Sequence, residues 1–86
     1  MKQIQDLRKI NIFKIDNTED CVHETLICQA FQVGDSLACT HSMGKYLIPN
    51  QENLLIRASL AKKSPLEFLI NSLIEYSFFK VVVVDA

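Results

Sequence analysis

The rhythm of apolar and polar positions changes along this chain, and the changes divide it into strand-like and helix-like stretches. Lys9-Ile10-Asn11-Ile12-Phe13-Lys14-Ile15 is rich in β-branched and aromatic residues and stops at Asp16-Asn17, which predicts a first strand. Ahead of it, Met1, Ile4 and Leu7 recur every third residue, a spacing that predicts a short helical turn. Residues 24–33 and 36–43 flank Gly34-Asp35, and glycine at the first central position is what a two-residue type II′ hairpin turn requires. With Val33 opposite Ser36, Ala30 falls opposite Cys39 and Cys28 opposite His41. Alternation then places Leu26, Cys28, Ala30, Leu37, Cys39, His41 and Met43 on one face, the expected core, and Thr25, Ile27, Gln29, Phe31, Ala38, Thr40 and Ser42 on the other.

Gly44 interrupts this pattern before a further short strand at 45–48, which Pro49-Asn50 closes. Two rhythms compete from Leu54 onward. Leu54, Ile56, Ala58 and Leu60 alternate with Arg57 and Ser59 as in a strand, whereas leucine, alanine and arginine favour helix; the alternation assigns 54–61 to a strand.

Ser64-Pro65-Leu66-Glu67 predicts a helix start. The Ser64 hydroxyl can accept from the Glu67 N–H, the Glu67 side chain can reach back, and Pro65 occupies the first helical position, where no N–H is needed. A helix over 65–77 follows, with Leu66, Leu69, Ile70, Leu73, Ile74 and Tyr76 on one arc and Glu67, Asn71, Ser72 and Glu75 on the other. The final FKVVVV, residues 79–84, alternates little, as in a strand covered on both faces. It is expected in the middle of the sheet or lent to a second subunit, because an exposed edge this apolar invites aggregation. Together these elements predict a single α+β domain over 1–86: a small, largely antiparallel sheet of about four or five strands with one principal helix on one face.

Composition adds constraints. Of the 86 residues 49% are hydrophobic, enough for a core. A chain this short recovers only about 60–65% of its unfolded surface on folding, which makes association a natural source of further stability. The net charge is −1 and the nine basic residues are scattered, so no footprint for nucleic acid is present. The acidic run at 16–20 reads as a solvated turn, lacking calcium-loop spacing. The N-terminus has no apolar signal region, and Val81 to Val84 is too short to cross a bilayer, so a cytoplasmic protein is expected. Three cysteines, an odd number, suit reduced thiols.

Candidate chemistry is sparse, and no catalytic or cofactor-binding residue is assigned. Cys21-Val22-His23 and Cys39-Thr40-His41 frame Cys28, so a zinc site can be drawn from Cys28, Cys39 and His41 with Cys21 or His23; the spacing is not that of common zinc knuckles. Cys28 or Cys39 beside His41 could also be drawn as nucleophile and base, with no third orienting group. Gly34 and Gly44 stand alone, so no phosphate-binding loop is formed. Phe68 falls in the middle of the helix's polar arc, where a core helix needs no aromatic residue. With Ser72 and Glu75 it marks a surface for a partner, to which Leu55 and Tyr46 add if 54–61 is a strand. The function expected is a small non-catalytic interaction or regulatory module, self-associating or docked on a protein partner; zinc binding and cysteine chemistry are the alternatives.

Overall fold

The computed structural model describes residues 3–40, 48 and 50–84. Four strands, β1 (Lys9–Asn17), β2 (Val22–Val33), β3 (Ser36–Cys39) and β4 (Phe79–Val84), form one antiparallel sheet in the order β3-β2-β1-β4. Among the described residues, two helices, α1 (Gln51–Leu60) and α2 (Pro65–Ile74), lie between β3 and β4 and pack on one side of that sheet, giving an α+β fold of two layers.

The β2–β3 hairpin has the expected register, with Val33 opposite Ser36 and Ala30 opposite Cys39. Gly34 has φ +58° while Asp35 shows no positive φ, the sign pattern of a II′ turn. His41 and Met43, and the strand expected at 45–48 apart from Ile48, lie outside the described residues, and Ile48 is not in a strand. Cys28, Ala30 and Leu37 are buried on the expected face. Leu26 is not: Ile12 faces Cys28 but Phe13 faces Leu26, so Ile27 is an extra residue in the ladder. This bulge reverses the alternation, turning Leu26 to the side of Phe13 and bringing Ile27 against the core.

The core joins Ile10, Ile12, Cys28, Ala30 and Leu37 of the sheet to Leu66, Leu69 and Leu73 of α2. Burial of each large aliphatic side chain contributes about 1.5–3 kcal/mol, and the i, i+3, i+7 spacing of the three leucines gives α2 one continuous face to bury. Its N-terminus forms as expected, the Ser64 hydroxyl accepting from the Glu67 N–H at 3.0 Å. The Glu67 carboxylate, expected to reach back to the cap, accepts from Arg8 Nη2 at 3.1 Å.

Residues 3–8 contain no helical turn. Bonds to other elements hold the segment in place: Gln32 donates to the Ile4 carbonyl at 2.7 Å, and Asp6, which also accepts from Arg8 Nη2 within the segment (2.7 Å), accepts from the Ser64 hydroxyl (2.8 Å). The segment 54–61, expected as a strand, is helical in α1. The Asn50 side chain caps it by accepting from Asn53 N–H, and Lys62, at φ +58°, ends it. Lys63 N–H to Ala58 O and Lys62 N–H to Ser59 O are the paired bonds of a Schellman stop, built here without glycine.

Helix α2 closes at Ile74, short of the expected Ser77, because the chain must reverse to bring Phe79 to the edge of β1; Tyr76 N–H bonds Leu73 O in that reversal. Ile74 and Tyr76, expected on the buried arc, are therefore exposed. Strand β4 is at the sheet edge, not in the middle, since β2 already occupies the other side of β1. Val82, Val83 and Val84 remain 38%, 45% and 36% exposed.

Candidate interaction surface

Helices α1 and α2 enclose a crevice, to which α2 contributes Phe68, Leu69, Ser72 and Leu73. Phe68 is half-buried there, with the Arg57 guanidinium 5.6 Å from its ring centroid, an arrangement suited to a cation–π contact. Ser72 donates to the Phe68 carbonyl at 2.9 Å, and Phe68, Ser72, Asn53, Arg57, Ile48 and Tyr76 are among the residues lining a volume of about 230 Å³. Glu75 is exposed at the end of α2, one turn beyond Ser72 and outside the crevice lining. Leu55 is half-buried on α1, and Tyr46 lies outside the described residues. The helical wheel set Phe68 apart from the apolar arc, and in the structure Phe68 faces helix α1, which was hidden by the strand-like alternation of 54–61.

The cysteines separate into two groups. Cys21, exposed before β2, has its Sγ 3.4 Å from His23 Nε2. Cys28 and Cys39 lie near enough for each thiol to influence the other, Cys28 buried and Cys39 half-buried. Cys21 and Cys28 are separated by seven steps of extended chain, about 23 Å, so the structure does not bring Cys21 or His23 to the Cys28–Cys39 pair. His41, the third candidate ligand, is outside the described residues, among which no group of three or more potential metal ligands occurs. Burial pushes the Cys28 thiol up to about 11, the neighbouring Cys39 adding to the effect, and burial likewise raises Cys39. A cysteine nucleophile requires the opposite shift.

The sheet face away from the helices is uncovered among the described residues. The register places Phe13, Leu26, Phe31, Ala38, Val82 and Val84 on it, together with Lys9, Asn11, Gln29 and Lys80. Gln29 donates to Asn11 Oδ1 at 2.7 Å in its centre, and Lys9 Nζ lies 5.9 Å from the Phe31 centroid. It is a mixed surface, apolar toward its margins.

The two edges of the sheet differ. At the β3 edge the outward backbone groups of Leu37 are occupied by one side chain: Gln51 Oε1 accepts from Leu37 N–H at 2.9 Å and Gln51 Nε2 donates to Leu37 O at 3.2 Å. The Gln51 amide thus takes the place of a neighbouring strand. At the β4 edge, Ile15 N–H bonds Phe78 O, and the alternation of an antiparallel ladder then assigns Lys80, Val82 and Val84 to the hydrogen-bonded pairs with β1. Val81 and Val83 point their N–H and C=O groups away from the sheet, and no partner for these groups occurs among the described residues. Phe79 N–H is taken by Tyr76 O at 3.3 Å. The one charged residue of the strand, Lys80, leans inward to Glu24 at 3.1 Å. Neither the Gln51 plug nor the open valine positions carry a sequence signal, because both depend on strand order.

No helix among the described residues is long and apolar enough to cross a membrane. Comparison with protein-family models, with curated proteins and with solved structures finds no match for this chain, so its own geometry carries the functional reading.

Proposed function

We propose that this chain is a small, non-catalytic protein-interaction module that associates with itself. The observation that carries the reading is the position of β4, an almost wholly apolar strand at the sheet edge with Val82, Val83 and Val84 exposed, where lone globular domains usually place charge, proline or a bulge. Two features add support. Among the described residues the helices cover one side of the sheet and leave the other uncovered, and the raised Cys28 and Cys39 thiols are poorly suited to nucleophilic chemistry. On the helix side, Phe68, Ser72 and Glu75 are the proposed contacts for a protein partner.

Sedimentation equilibrium over a hundredfold range of concentration tests the reading. A reversible rise from the 9.8 kDa chain mass toward a multiple of it is expected. A single species of monomer mass throughout would remove self-association from the proposal. Phe68→Asp is expected to leave the fold intact and to weaken binding of a protein partner at the α1–α2 crevice; unchanged binding would remove that surface.

A further inference from the structure

Resting on the self-association reading, we infer that the second copy binds at the β4 edge, so that β4 pairs antiparallel with β4 of the other chain and two four-stranded sheets become one of eight strands. The occupant follows from the two edges of the sheet. The β3 edge is closed at Leu37 by the Gln51 amide, whereas Val81 and Val83 of β4 each present a donor and an acceptor with no partner among the described residues. A two-fold axis across this edge makes it its own complement, since a strand run antiparallel to itself offers the same alternation of N–H and C=O groups. Any extended peptide could donate such groups, but the side chains select this chain. In the register that sets Val81 opposite Val83, valine meets valine through the centre of the contact, and the charge that would guard the edge, Lys80, is already held by Glu24.

Register parity is fixed by the hydrogen bonds. Outward groups must face outward groups, so odd-numbered residues lie opposite odd-numbered ones, and the register that pairs both open positions sets Val81 of each chain opposite Val83 of the other and Val82 opposite Val82. Residues directly opposite share a face of the sheet, so the two helix layers stand on the same side of the joined sheet. The two uncovered faces, each with Phe13, Leu26, Val82 and Val84, then merge into one surface on the other side.

The test combines two variants with a measurement on the unaltered chain. In Val81→Pro the lost N–H is one that β1 does not use, and edge strands tolerate proline; Val83→Lys places a charge at the contact. Both variants are expected to keep the parent circular dichroism spectrum while the dimer dissociation constant rises by about tenfold or more. Hydrogen exchange of the unaltered chain is expected to show the Val81 and Val83 amides slowing as concentration rises, with the Leu37 amide unchanged. Folded variants that dimerise like the parent, or Val81 and Val83 amides that exchange at one rate at all concentrations in a protein shown to be dimeric, overturn the β4 edge and leave self-association by another surface. A parent that stays monomeric overturns self-association itself. Should either variant fail to fold, exchange on the parent decides.

Discussion

Replacing Asp6 by Asn is expected to destabilise the protein near neutral pH and to have little effect in strong acid. Asp6 accepts from Arg8 Nη2 at 2.7 Å, from Arg8 Nε at 3.0 Å and from the Ser64 hydroxyl at 2.8 Å, tying the extended N-terminal segment to the start of α2. The Arg8 guanidinium holds the Asp6 carboxyl down at about 2, against an ordinary 3.8, with Ser64 and the Arg8 backbone assisting and burial opposing. A depression of that size corresponds to at most about 2.5 kcal/mol of folding free energy. The Asp6 side chain is only 9% exposed, but Arg8 is 40% exposed, and solvent screening of the pair reduces the expectation to about 1–2 kcal/mol. For a domain of this size that is a fall in Tm of about 5–15 °C. Because the folded-state value is the depressed one, the contribution is complete above the unfolded value of 3.8 and disappears as pH falls through about 2. Asparagine keeps the shape but only one of the two acceptor oxygens, so the substitution removes the charge together with the hydrogen bonds of one oxygen, much as protonation of Asp6 does. Urea titrations of parent and variant at a series of pH values give the difference directly, and carboxylates common to both cancel. An equal cost near neutrality and at about pH 2, or no cost near neutrality, would refute the assignment.

Further outcomes are expected elsewhere in the fold. Lys62→Gly should stabilise the protein by about 0.5–1 kcal/mol in thermal unfolding, because Lys62 sits at φ +58° in the stop of α1, where glycine carries no steric cost. Ile12→Ala removes a fully buried side chain from the centre of the sheet and should cost about 2–5 kcal/mol in chemical denaturation, enough to unfold a small domain of modest stability. In native-state alkylation followed by mass spectrometry, exposed Cys21 should react first. Cys28, buried and raised to about 11, should react only on unfolding; a Cys28 thiol as fast as Cys21 would contradict its placement in the core.

The features legible in the chain were those written within a few residues. The hairpin register followed from Gly34, because two residues of turn set every pairing after them, and the start of α2 followed from Ser64 and Pro65, because a cap is satisfied locally. The missed features had signals that were disguised or distant. Helix α1 stops on lysine where glycine would have announced it, and Asn50, its N-cap, follows Pro49 in a pair that reads equally well as a turn. The bulge at Ile27 cannot be counted from alternation, because one unpaired residue leaves composition unchanged while reversing the faces beyond it.

The candidate surface divides in the same way. The wheel singled out Phe68 from periodicity alone, but a helix lying over it, with Arg57 against its ring, is a fact of packing. The apolar character of 79–84 is plain in the chain; its place at the edge is not, since a run of valines pairs as readily in the middle of a sheet as at its margin. Short-range hydrogen bonds and backbone preferences acted through neighbouring residues, and so left their mark in the order of amino acids. Strand order, the closing of one edge by Gln51 and the opening of the other at Val81 and Val83 came from contacts between residues far apart in the chain, and only the folded arrangement determined them.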